Sequence, residues 1–258
     1  MAACDNKAAN LAEAERWIRA AASEGAQIVA LPEVFIWRGS KKREGEFAEP
    51  IPGATSEAMA RLARELDIYL LAGSILEAMP GSNKAYNTSL LFDGRGGLIA
   101  SYRKIHLFDV DLANGVSLRE SDTRAFGDSV VAAETGLACI GLTICYDLRF
   151  PELYRALAAR GAQIVFVPSA FTAYTGQAHW ETLLRARAIE NQVYIVAPDQ
   201  FGHNPHSIET YGHSMIVDPW GKVLSEISDG PGVVTAEIDL DYLAQVRAEL
   251  PALNHRKL

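Results

Sequence analysis

Cys145 stands where a chain can turn a thiol into a nucleophile. It follows the apolar run 137–144 and precedes Tyr146-Asp147-Leu148-Arg149-Phe150-Pro151-Glu152. Pro151-Glu152 reads as the first turn of a helix. A thiol at a strand-to-helix junction is held out at the end of a sheet, and a helix N-terminus there favours thiolate over thiol. The competing reading is a buried core cysteine, the ordinary state of a free thiol. Two further segments favour the nucleophile. Glu33, in Leu31-Pro32-Glu33, directly follows the apolar run 27–30, and Lys104, in Tyr102-Arg103-Lys104-Ile105-His106, follows the strand-like 97–101. Three strand ends thus offer a carboxylate, an ammonium and a thiol. In layered α/β proteins, strand ends are where sites are assembled.

The elements that must position these groups alternate along the chain. Apolar residues at helical spacing predict a helix over 7–23, and Thr55-Ser56 opens a second running to about Leu66. Strands are expected over 27–31, 68–76, 87–92, 129–134, 137–144, 163–167, 193–197, 211–217, 222–227 and 233–238. Helices are expected over 151–160, 179–192 and 241–250. The stretch 103–128 lacks periodicity, and a loop of that length in a compact domain is usually functional. No linker or repeat interrupts the order, so one domain over 1–258 is expected. Its helices lie outside layered sheets.

The 258 residues are 49% hydrophobic and 22% charged, with net charge −8. That composition is globular. The short basic run Lys41-Lys42-Arg43 is flanked by Glu44 and Glu46, a solvated loop rather than a nucleic-acid footprint. Three cysteines, Cys4, Cys139 and Cys145, are too few and scattered for a disulfide framework. No apolar run approaches the roughly 20 residues that span a bilayer, and the first residues lack a signal pattern. The expectation is a cytoplasmic protein with no membrane or nucleic-acid partner.

Taken together and in this order, Leu-Pro-Glu33, Tyr-Arg-Lys104-Ile-His and Ile-Cys145-Tyr-Asp-Leu-Arg-Phe-Pro-Glu resemble the nitrilase (carbon–nitrogen hydrolase) superfamily. The likeness runs from about residue 10 to the end. Pro168-Ser-Ala-Phe171, Thr175-Gly-Gln-Ala-His-Trp-Glu181 and Tyr211-Gly-His-Ser-Met-Ile-Val-Asp-Pro-Trp-Gly221 look like the branch that holds deaminated glutathione amidase and ω-amidase. The resemblance implies a four-layer α-β-β-α sandwich, and a homodimer or larger homo-oligomer. The tail Pro251-Ala-Leu-Asn-His-Arg256 resembles the family's partner-reaching end. Family members open with a short apolar strand before the first helix. Met1-Ala-Ala-Cys4 begins roughly where that strand should end, so the strand is missing or the start lies upstream.

An amide needs a strong nucleophile, oxyanion stabilisation and an acid for its nitrogen. Cys145 would attack, and Lys104 with the Tyr146 N–H would stabilise the oxyanion. Lys104 would also favour thiolate at Cys145. Glu33 would pass the thiol proton to the leaving nitrogen and then activate water. No step requires a cofactor or metal. The resemblance adds Glu120 to orient Lys104, Phe171 as pocket wall and Thr175 as hydroxyl partner; otherwise Glu120 is a surface carboxylate. Arg149, four residues after Cys145, would face the same cavity if the junction is helical and fork a substrate carboxylate. Otherwise it pairs with Glu152 or Asp147. The resemblance implies a small carboxylated linear amide as substrate, deaminated glutathione first and 2-oxoglutaramate second. Rival readings remain: a cysteine–histidine hydrolase using His179 or His213, metal binding by His203, His206 and His213, a nitrilase proper, and a catalytically silent module.

Overall fold

The computed structural model describes residues 1–258 except Asn114, residues 204–207, Asp229 and Leu258. Two six-stranded sheets form its middle layers. The first runs in the order Ile28–Ala30, Tyr69–Leu71, Ala85–Phe92, Ile75–Ala78, with Leu98–Arg103 and Arg124–Ala125 also paired to Ala85–Phe92. The second runs Val223–Glu226, Met215–Val217, Tyr194–Ala197, Ile164–Phe166, Cys139–Leu142, Val131–Glu134.

Side-chain alternation along a strand assigns each residue to a layer. Leu70 and Leu90 pack with the helices Lys7–Ser23 and Ala54–Leu66 through Ile18, Met59 and Leu62. Their neighbours Leu71 and Leu91 point the other way, into the cluster built on the second sheet. The far side of that sheet is covered by helices Pro151–Ala159 and Ala173–Asn191 through Tyr154, Leu157, Trp180 and Leu184. The result is the α-β-β-α sandwich that the resemblance implies.

The central strands of the second sheet, Cys139–Leu142, Ile164–Phe166 and Tyr194–Ala197, are mutually parallel. The first two are buried at every position, as parallel strands covered on both faces must be. Parallel strands end on one side, and residues just past their ends gather there. Ile28–Ala30 and Tyr69–Leu71 are likewise parallel.

Several expectations are corrected. The run 68–76 is two strands, broken at Gly73, whose φ is +35° and where a Cβ would lie 2.0 Å from the Pro32 carbonyl oxygen. Only glycine lets the chain pass so close behind Pro32-Glu33. The helix expected from 179 begins at Ala173, capped by the Thr172 hydroxyl. The stretch 103–128 contains a short hairpin, Asp109–Asp111 with Ser117–Arg119, then a 3₁₀ turn over Glu120–Asp122. Residues 233–238, expected as a strand, carry no ladder. They instead border a cavity of about 630 Å³ whose other walls include Ile28–Ala30 and Met215. The described residues before Lys7 also hold no strand. There Met1 carbonyl accepts from Phe201 N at 3.0 Å and Ala3 N donates to Gln200 Oε1 at 2.9 Å. No helix among the described residues is long and apolar enough to cross a membrane.

Candidate active site

Glu33, Lys104 and Cys145 meet on one cavity of about 170 Å³. Each arrives on a short lead from its strand, and two leads are backbone-strained. Cys145 has φ 47° and Val34, next to Glu33, has φ 45°. Positive φ is costly for a side-chain-bearing residue, most of all a β-branched one. Cys145 N donates to the Pro168 carbonyl at 3.0 Å, and Val34 N donates to Ser74 Oγ at 3.0 Å. These bonds fix the two turns from neighbouring strand ends.

All three side chains are buried, Lys104 to 2% exposure. Lys104 Nζ lies 2.9 Å from Glu33 Oε1 and 2.9 Å from Glu120 Oε2. Burial alone would strip its proton, but Glu120 and Glu33 outweigh that and raise its pKa. Glu120 accepts further bonds from Phe108 N and Arg124. Arg124 is held in turn by Glu44, 2.7 Å away. Burial pushes the Glu120 carboxyl up, yet Lys104 and Arg124 pull it down further, to about 2. Glu33 is saturated with donors: Asn87 Nδ2 at 2.7 Å, Lys104, and Ala170 N at 2.9 Å.

Cys145 departs from expectation. Its segment is a 3₁₀ turn over Cys145–Arg149, and the α-helix starts only at Pro151. The helix end is thus a turn too far to act strongly on the sulfur, since its field falls off within the first turn. Burial, then Glu33, push the thiol pKa well above its ordinary value; Lys104 opposes them and loses. Burial thus favours the thiol form of the sulfur.

The 3₁₀ turn is secured by Asp147, fully buried, which accepts from Tyr102 Oη at 2.7 Å and from Ile144 N at 2.9 Å. His106 Nδ1 lies 2.7 Å from the same carboxylate. The motif around Lys104 and the motif around Cys145 are therefore cross-braced.

Arg149 does not line the cavity. Its guanidinium lies over the rings of Phe171 and Tyr146, 5.2 and 5.8 Å from their centroids, with Nη1 3.2 Å from His179 Nδ1. Phe171 packs on Trp180, and Thr175 Oγ1 lies 2.6 Å from Thr172 Oγ1 at the helix start. None of the three lines the cavity. His213 Nδ1 lies 2.7 Å from Glu226. His203 is exposed, and His206 lies outside the described residues. No group of metal-ligating side chains occurs among the described residues.

Sequence reasoning missed Asn87, Arg124, Glu44 and Arg38, which all touch the site or its braces. Asn87 lies inside a strand and shows no local signal. Arg124 was detectable only as a basic residue four positions after Glu120.

The carbon–nitrogen hydrolase family profile matches residues 3–248. A deaminated glutathione amidase of Synechocystis is 44% identical over 254 residues, 97% of this chain and 93% of that protein. The omega-amidase NIT2 of Xenopus tropicalis is 43% identical over 251 residues, 97% of this chain and 90% of that protein. The crystal structure of Saccharomyces cerevisiae Nit3, a member of branch 10 of the nitrilase superfamily, superposes with a TM-score of 0.90 at 35% identity, over 100% of this chain and 93% of that one. Sequence along nearly the whole length and fold agree, and the chain belongs to the carbon–nitrogen hydrolase family.

Proposed function

We propose that this protein hydrolyses a small, linear, carboxylated amide through a cysteine thioester, with deaminated glutathione as substrate and 2-oxoglutarate and cysteinylglycine as products. The observation that carries the chemistry is that Glu33, Lys104 and Cys145, all buried, line one cavity, with Lys104 Nζ 2.9 Å from Glu33. Because burial favours the thiol form, attack is coupled to proton transfer. The thiol proton passes to Glu33 as the S–C bond forms. The carbonyl oxygen then bears the negative charge, met by the Lys104 ammonium and the Tyr146 N–H. Glu33 returns its proton to the nitrogen, the C–N bond breaks and the thioester remains. Water, deprotonated by Glu33, attacks the thioester; its proton goes back to sulfur. Glu120 keeps Lys104 aligned and charged. Arg149 forks the carboxylate of the acyl half, with Phe171 and Thr175 shaping its pocket.

A second reading is an ω-amidase that releases ammonia from 2-oxoglutaramate, favoured by the 43% identity to NIT2. A side-by-side assay of 2-oxoglutarate release from both amides decides. A kcat/KM for deaminated glutathione below that for 2-oxoglutaramate would reverse the order of the two readings. We read the protein as a homo-oligomer in a reducing, cytoplasmic setting. Ile189 and Trp220, both exposed, adjoin at Gly221, and Gln192 bonds the carbonyl of exposed Leu250. These residues offer an apolar face on the outer helical layer. Sedimentation as a monomer at micromolar concentration would remove that part of the reading.

A further inference from the structure

Asn87 touches both Glu33 and Lys104 without lining their cavity. It lies inside the strand Ala85–Phe92 and is fully buried. Strand alternation puts it on the same face as Leu91, the face turned toward the second sheet. A buried amide is costly there unless its polar atoms are used. Its main-chain carbonyl accepts from Lys104 N at 2.8 Å, and its side-chain Nδ2 donates to Glu33 Oε1 at 2.7 Å. One residue thus ties the lead that carries Lys104 to the carboxylate of Glu33. A side-chain amide is neutral, so it steadies a carboxylate without competing for its proton.

The two carboxylate oxygens of Glu33 are served unequally. Oε1 takes Asn87 Nδ2 and, at 2.9 Å, Lys104 Nζ. Among the described residues, Oε2 takes Ala170 N alone, at 2.9 Å. An ionised carboxylate offers about two acceptor positions on each oxygen. A proton arriving at Oε1 would have to displace Asn87 or the Lys104 ammonium, whereas one arriving at Oε2 displaces neither. Ala170, on the cavity wall, turns the same N–H toward the Cys145 sulfur. The less occupied oxygen is therefore the one on the sulfur's side. The main chain of Glu33 is held without Asn87: its N donates to the Ser169 carbonyl at 3.3 Å, and its carbonyl accepts from Gln200 Nε2 at 2.9 Å. Asn87 governs how the carboxylate is turned, not where the residue sits.

We propose that Asn87 is a positioning residue for proton transfer: with Lys104 it occupies Glu33 Oε1 and so reserves Oε2 to carry the proton. The proposal rests on the amidase reading above and assigns its atoms. The S–H bond breaks and an Oε2–H bond forms as sulfur joins the carbonyl carbon. Oε2 gives that proton to the nitrogen as the C–N bond breaks. It takes a proton from water as the water oxygen joins the thioester carbon, and returns it to sulfur as the C–S bond breaks. Each proton taken is given back, and the cycle closes.

The test compares wild type, Asn87→Ala and Asn87→Ser on deaminated glutathione, 2-oxoglutaramate and butyramide, with folding checked by thermal melting. Neither substitution removes the main-chain carbonyl that holds Lys104, so each reads the side chain. Asn87→Ala is expected to lower kcat by about 10–100-fold with KM within about twofold, because a misdirected carboxylate impairs the chemical step rather than binding. The loss should be the same for all three amides, since every C–N bond meets the same oxygen. Asn87→Ser, which keeps a donor, should recover part of it. A folded Asn87→Ala protein with wild-type kcat overturns the proposal. So does a loss carried by KM, or one confined to the carboxylated amides, which would assign Asn87 to substrate binding. If Asn87→Ala does not fold, Asn87→Leu, closer in size and equally without a donor, takes its place under the same criteria. Turnover of butyramide but of neither other amide would remove the substrate reading above, while the butyramide comparison still decides the role of Asn87.

Discussion

The strand Ile28–Ala30 borders one space and leads the chain into another. Past its carboxyl end, Glu33 enters a cavity of about 170 Å³ in which its carboxylate meets three donors. Along its side lies a cavity of about 630 Å³, whose wall mixes apolar residues such as Val29, Ile164 and Val234 with polar ones such as Gln27, Asp199 and Ser214. A buried charge left without partners costs several kcal/mol, so the polar space must be specified atom by atom. An apolar wall without neighbours forfeits only dispersion and transfer energy, in small increments.

The sharpest break of this contrast comes at the sulfur. Cys145→Ala should reduce turnover to background while the melting temperature stays close to wild type. Cys145→Ser should be almost as inactive. Substantial activity in a folded Cys145→Ala protein would sink the covalent mechanism.

Lys104→Met should act on both function and fold. It removes the oxyanion charge, a loss of about 10²–10³ in kcat by comparison with other oxyanion donors. It also leaves Glu33 and Glu120 buried without their shared cation, at a cost of about 3–5 kcal/mol. Urea unfolding beside single-turnover kinetics separates the two effects. Glu33→Gln keeps the shape and the Asn87 contact but removes the base, and kcat should fall by about 10²–10⁴. Near-normal kcat in either variant would count against its assigned role.

The acid limb of stability gives a third view. Glu120 has a folded-state pKa below its unfolded value, so its contribution is present above about 4.3 and is lost as pH falls toward about 2. Unfolding free energy measured from pH 6 to pH 2.5 should fall in wild type, and less steeply in Glu120→Gln. Equal slopes would show that the buried quartet of Glu44, Glu120, Lys104 and Arg124 does not govern acid sensitivity.

The smallest effects should come from the loosely walled cavity. Ile140→Ala, in the closed core, should cost about 2–5 kcal/mol. Val234→Ala, on the wall of the large cavity, should cost less than about 1 kcal/mol. Chemical denaturation of both variants compares the two environments directly, and similar losses would mean that the cavity wall is packed as tightly as the core.

Much of this was readable from local signals. Apolar runs that stop abruptly at Glu33, Lys104 and Cys145 announce strand ends, and strand ends of parallel sheets converge. Helix 7–23 is legible from its spacing. What stayed hidden depends on contacts remote in sequence. Asn87 reaches Glu33 across 54 positions, and Arg38 reaches Thr210 across 172. The upward push on the thiol comes from burial and from Glu33, tertiary facts that a local motif suggesting a helix end does not carry. Residues 233–238 have the composition of a strand, but a ladder also needs a neighbour, and composition says nothing about neighbours.

The protonated, enclosed state of Cys145 bears on how the protein ages in the presence of oxidants. Peroxides and alkylating reagents attack thiolates that they can reach. A buried sulfur whose pKa is pushed up by burial offers little of either at rest. Cys4, exposed at the surface, is the first thiol such reagents meet. Loss of titratable thiol and loss of activity should therefore run on different clocks.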